Sequence, residues 1–204
     1  MLLVLLVMLL AAVLALATGG RFSHLTHLQL AGTRWLIAAG AAQLVGPLFG
    51  GTSYALFLLV SAGLVAVFLA ANRSQAGVAL LAAGFAANAL VVLLNGAMPV
   101  SANELARAGL DVSAADLLLD PRHEHVGDAT RLPWLGDTIP LALPGLGQAV
   151  SIGDILIAAG AGLMLYTAMR HPSTVRPART ENRARSRDAE TPPRPDRTRP
   201  RRPS

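Results

Sequence analysis

The chain has 204 residues, of which 53% are hydrophobic and 14% charged, with a mean hydropathy of +0.50. The absence of cysteine excludes a disulfide framework, a thiolate metal site and a cysteine nucleophile. All basic residues are arginine, and the net charge of +5 does not point to a nucleic-acid-binding core, because the excess sits in the C-terminal tail.

Charge is absent from residues 1–20, 35–72, 74–103 and 155–169. A water-soluble domain does not keep such stretches free of charge, whereas a bilayer span needs ~20 mostly apolar residues. Residues 2–18 form the first predicted span. Ala15-Leu16-Ala17 resembles a cleavage site, but no basic residue precedes the apolar run and Arg21 follows it, so the segment is read as a retained helix. Gly19-Gly20 ends it. In the connector 21–34, Phe22, Leu25, Leu28 and Leu30 alternate with polar residues, as in an interfacial segment. His24 and His27 would share a helix face there, as solvated histidines rather than a metal pair.

The second span is 31–49, with Trp35 as an aromatic anchor; Gly46-Pro47 and Gly50-Gly51 should break the helix and turn the chain. The third span is 54–71, Asn72-Arg73-Ser74 is a tight polar turn, and the fourth span is 76–94. Such short connections make these spans antiparallel neighbours.

Residues 95–151 are the one sizeable hydrophilic segment before the tail. Ser101-Ala102-Asn103-Glu104 fits a capping box for a helix ending at Gly109, and Ser113-Ala114-Ala115-Asp116 repeats the pattern. Beyond Pro121 prolines and glycines forbid long helices, and 140–147 should be apolar and irregular. The fifth span is 152–169. Residues 171–204 are rich in Arg and Pro and should be disordered. Any role of the tail would be charge-based contact with anionic lipid, with no specific nucleic acid.

Arginine near span ends stays cytosolic. The tail from Arg170 holds eleven arginines and four acidic residues, whereas 95–154 holds three arginines and eight acidic residues. The tail is therefore placed inside and the long loop outside. Counting back through five spans puts Arg73, Arg34 and Arg21 inside and the N-terminus outside. Removing the first span would put the tail outside, against the rule.

Gln43, Ser61 and Asn88 are the few polar residues inside spans. They lie at one depth, ~10 Å below the outer surface at 1.5 Å per residue, and could hydrogen-bond to each other. No ionisable group joins them, which favours glue between helices over an ion path. His123-Glu124-His125, near Asp120 and Asp128, has no third ligand at a metal-site spacing and is read as a polar loop. Asp137 and Asp154 flank the apolar segment before the fifth span and are the candidate pair for acid–base chemistry. Ser151-Ile152-Gly153-Asp154 is also a plain capping box. It has some likeness to the start of the last helix of lipoprotein signal peptidases, but their Asn-x-x-Asp-Arg stretch is missing.

Gly19-Gly20-Arg21, the Asn95-Gly96-Ala97-Met98-Pro99-Val100 stretch, Gly127-Asp128-Ala129-Thr130-Arg131-Leu132, Asp137-Thr138-Ile139-Pro140 and Val150-Ser151-Ile152-Gly153-Asp154 occur in this order. Together they resemble an uncharacterised family of small actinobacterial-type multi-pass membrane proteins, a domain-of-unknown-function family. The likeness covers about residues 1–170. It implies a membrane protein and supplies no mechanism. Asn95, Gly96, Met98, Pro99, Asp128 and Arg131 form its outer-loop motif, in which Arg131 would pair with Asp128 or Asp137.

The expected molecule is an all-α membrane protein. It has about five transmembrane helices in residues 1–170, a partly structured outer loop at 95–151 and a disordered cytosolic tail at 171–204. A structural or interaction component without cofactor or metal is expected. A small transporter or channel subunit and a hydrolase using the outer carboxylates are the alternatives.

Overall fold

The computed structural model describes residues 2–49, 51–110, 123–143 and 147–171, which belong to one compact unit. The expected tail, the helix start at Ser113 and Asp120 lie outside the described residues.

Among the described residues six α-helices carry the fold: α1 (Leu2–Ala17), α2 (Thr33–Phe49), α3 (Gly51–Ala71), α4 (Val78–Asn95), the short α5 (Ala102–Arg107) and α6 (Ile152–Arg170). The long helices follow the charge-free runs closely. Their residues are mostly Ala, Leu, Val and Gly, so nothing polar competes for the backbone. Among the described residues, α4 and α6 are each long and apolar enough to cross a membrane; α1 and residues Leu59–Ala71 of α3 are apolar but shorter.

Gly46-Pro47 does not break α2, which continues to Phe49, and α3 begins at once at Gly51. The proline forfeits the bond to the Gln43 carbonyl and crowds that carbonyl, but the preceding Gly46 has no Cβ to clash with it and α2 ends two residues later. The sharper stops are Gly77 before α4 and Gly96 after it. Both have left-handed backbone, at φ +84° and +90°, and Gly96 N–H returns to the Val92 carbonyl.

The outer loop is not purely helical and irregular. Its described residues form two small sheets, which corrects the all-α expectation. Strands β1 (Met98–Val100) and β2 (His123–His125) run parallel, and β3 (Ile139–Leu141) and β4 (Gln148–Val150) run antiparallel with Ile139 opposite Val150. The segment expected to be irregular thus starts with β3. Three-residue strands satisfy backbone groups where prolines bar a helix. Ser101 caps α5 by accepting from Glu104 N–H, but Glu104 turns its carboxylate to Arg107 at 3.0 Å, so only half of the expected box forms.

Helix α6 packs extensively on both α1 and α4, while α2 packs on α3. Helices α3 and α4 touch less extensively, through Val65, Phe68, Leu69, Val78 and Leu81 near the turn that joins them. The α4–α6 seam is built on glycine. A Cβ on Gly84 would lie 2.5 Å from the Gly153 carbonyl oxygen, and one on Gly160 would lie 2.7 Å from the Gly77 carbonyl oxygen. Gly77, the cap of α4, and Gly84 lie seven apart, as do Gly153 and Gly160 of α6, so the antiparallel pairs Gly77–Gly160 and Gly84–Gly153 meet two turns apart and the backbones touch.

Two asparagines pin connectors to helix ends with the same bonds. Asn72, 3% exposed, accepts from Ala31 N–H and donates to Ala31 O, each at 2.9 Å, and also donates to Phe68 O. Asn95 accepts from Arg131 N–H at 2.7 Å, donates to Arg131 O at 2.8 Å and also donates to Val91 O. In each, a side-chain amide pairs with a peptide group as a neighbouring strand would.

Candidate functional site

Buried polar groups gather where α4 and α6 meet the outer loop. Ser151 is fully buried and starts α6 as its N-cap. Its Oγ accepts from Asp154 N–H at 2.9 Å, and Asp154 Oδ2 accepts from Ser151 N–H at 3.4 Å, which is a complete capping box. Asn88 of α4 locks this box from the neighbouring helix. Its Nδ2 donates to Asp154 Oδ1 and its Oδ1 accepts from Ser151 Oγ, both at 2.9 Å. Gly153 makes the approach possible, because a Cβ there would fall on the Asn88 side chain.

Asp137 joins this cluster from the loop. A 3-10 turn at Pro133–Leu135 brings the chain back, and the Asp137 backbone docks beside β1, with its N–H on Pro99 O at 2.8 Å and its carbonyl accepting from Ser101 N–H at 3.4 Å. The residue is 9% exposed, and its buried Oδ1 has no hydrogen-bond partner among the described residues. His123 Nε2 lies 3.9 Å from Oδ2. Burial, reinforced by the nearby Asp154 carboxylate, raises Asp137 from 3.8 to about 7. The two carboxylates singled out from sequence are therefore electrostatic neighbours, one engaged as a helix cap and the other protonated through most of the acid range.

This asymmetry predicts a pH dependence. An acid raised in the folded state contributes stability that is complete below its unfolded value and is lost as pH rises through its folded value. The thermal midpoint should fall between pH 3.8 and about 7. Asp137→Asn should flatten that slope and make the protein more stable than wild type at pH 8, by something on the order of a few kcal/mol. Unfolding scans in detergent across pH measure it, and parallel profiles would contradict the assignment.

The other residues divide. Gln43, Ser61 and Asn88 do not form one network. Gln43 Nε2 donates to Ser61 Oγ at 3.0 Å, and the buried Ser61 donates on to Ala39 O at 3.0 Å, tying α2 to α3, while Asn88 turns to α6. Met98 and Pro99 are buried within β1; Asn95 holds the Arg131 backbone, and Gly96 ends α4. Asp128 and Arg131 are exposed, and no ion pair joins Arg131 to Asp128 or Asp137 among the described residues. His123 and His125 sit on a strand, but no group of three potential metal ligands assembles among the described residues.

A second feature is a cleft of about 640 Å³ between α3 and α4. Leu59, Val65, Phe85 and several alanines line it, together with Gln43, Asn88 and Arg73. It exists because α3 is held by α2 and α4 by α6, so the faces that α3 and α4 turn to each other are not packed along their length.

The Ser151 cap is as the sequence indicates, whereas the Asn72 clamp on Ala31 and the glycine seam are structural devices that a residue-by-residue search for chemistry passes over. The equal seven-residue spacing of Gly77–Gly84 and Gly153–Gly160 is the signal that would have found the seam. The profile of a protein family described as a family of unknown function (DUF5317) matches residues 25–166. No curated protein and no solved structure matches the chain.

Proposed function

We propose that this chain, which belongs to the DUF5317 family of unknown function, is a five-span integral membrane protein acting as a structural or interaction component. The observation that carries this is the outward face of the helices. Leu9 is 62% exposed, Ile37 73%, Leu44 78% and Leu48 80%, on helices whose charges are confined to terminal turns. At ~25 cal/mol per Å² of apolar surface, such faces are costly in water and favoured in lipid.

The arginine distribution supports an N-terminus outside and a C-terminus in the cytosol. In intact cells a membrane-impermeant thiol reagent should label Ser113→Cys and leave Ser173→Cys unlabelled until the cells are opened. The reverse pattern would sink the topology.

The non-catalytic reading is favoured by Asp154, whose two oxygens are both committed to bonds within the cap and to Asn88. One observation favours the hydrolase alternative: burial, and then the neighbouring Asp154, raise Asp137 to about 7, and two close carboxyl groups in unequal environments are what carboxylate catalysis uses. Asp137→Asn distinguishes the two. A purely structural Asp137 predicts a folded variant with wild-type cellular function; a catalytic one predicts a folded variant that fails to complement a deletion strain.

A further inference from the structure

We propose that the cleft between α3 and α4 binds an anionic phospholipid, one acyl chain along its alanine walls and the phosphate against Arg73. This rests on the membrane reading above. Ala62, Ala66 and Ala70 recur every four residues on α3, and Ala82, Ala86 and Ala89 face them from α4. Small side chains on two helices held apart by other partners leave room for a chain, not for each other. The α4 wall runs from Val78 to Leu93, ~22 Å at 1.5 Å per residue. That exceeds the ~15 Å depth of one leaflet, so an acyl chain from the Arg73 side fits without crossing it.

Charge selects the headgroup. Arg73 is the one charged residue among those lining the cleft, and it is exposed at the α3–α4 turn. No ion pair engages it among the described residues. The first acidic residue of the whole sequence is Glu104, so α1 to α4 and their connectors supply no carboxylate. The preceding arginine in the sequence, Arg34, lies over the Trp35 ring at 4.8 Å. The polar groups at the other end are already satisfied, Gln43 by Ser61 and Asn88 by Asp154. An amphiphile with one negative head and an apolar tail matches this distribution.

The test uses the full chain. Membranes are first washed with alkaline carbonate. The protein is then purified in a neutral detergent and titrated with phosphatidylglycerol or phosphatidylcholine in mixed micelles. Arg73→Gln should weaken phosphatidylglycerol binding about fivefold, the share of one arginine near an anionic surface, and leave phosphatidylcholine unchanged. The tail arginines act equally in both proteins and cancel. Ala66→Trp, at an exposed wall position, should lose both lipids while its lipid-free midpoint stays at the wild-type value. A chain extracted by carbonate would overturn the membrane reading and this inference together. A chain that stays in the membrane, with phosphatidylglycerol affinity unchanged by Arg73→Gln, would overturn the lipid site alone. So would a wild-type dimer that Ala66→Trp dissociates, which would make a second copy the occupant.

Discussion

Replacing Gly84 by alanine will destabilise the helical core by about 1–3 kcal/mol, although only one methyl is added. The added Cβ would lie 2.5 Å from the Gly153 carbonyl oxygen and 2.9 Å from the Ile157 nitrogen. Both are backbone atoms of α6 and cannot rotate away, so the helices must separate. Separation also stretches the Asn88 bonds one turn further along. Gly63→Ala is the control, since nothing lies within 4 Å of a Cβ there. In the middle of α3 it should be neutral or stabilise by ~0.5–1 kcal/mol through helix propensity. Thermal unfolding of the two variants in the same detergent decides the matter; equal midpoints would remove the seam from the account.

The second large effect is expected at Asn88. Asn88→Ala takes the donor from Asp154 Oδ1 and the acceptor from Ser151 Oγ at once, and should cost roughly 2–4 kcal/mol because one of the lost bonds is to a charged group. The same geometry changes the expectation for Asp154→Asn. For a plain cap, asparagine loses only a charge–dipole contribution of ~0.3–1 kcal/mol. Here the two carboxylate oxygens face two donors, Asn88 Nδ2 and Ser151 N–H, so a carboxamide must set its NH2 against one of them. Asp154→Asn should therefore cost more than an ordinary cap substitution and approach the loss in Asn88→Ala. The double variant should cost less than the sum of the two, since they break one shared bond. Additive losses would show that the bond contributes nothing.

The helices were legible because charge-free runs and glycine punctuation act locally. Ends predicted at 152–169 and found at Ile152–Arg170 rest on the Ser151 cap, which needs no tertiary knowledge. The Gly46-Pro47 break did not occur: the preceding residue is glycine, whose lack of a Cβ eases the clash that proline imposes on the residue before it, and only two residues of α2 follow. The short strands carried no periodicity over three residues and could not be read. At the candidate site, the residue types were recognised and their partners were not. Asn88 was grouped with Gln43 and Ser61 by depth alone, whereas packing assigns α4 to α6 and α2 to α3. Depth follows from chain position; partnership follows from which faces can approach, and here bare glycine decides that.

The dependence of α1 and α4 on α6 has a consequence for synthesis. Helix α6 is the last of the six described helices to leave the ribosome, and at ~5–20 residues per second the stretch from 96 to 170 takes roughly 4–15 s to make. Throughout that interval α1 and α4 are finished but their main packing partner does not yet exist. Asn88 waits with its amide unmatched, and Gly77 and Gly84 leave a groove open along α4. Nascent chains arrested before residue 152 should thus expose α4 to insertion and quality-control factors, which recognise a polar side chain in an apolar helix. Release past residue 154 delivers Ser151 and Asp154 together and closes the bundle in one late step.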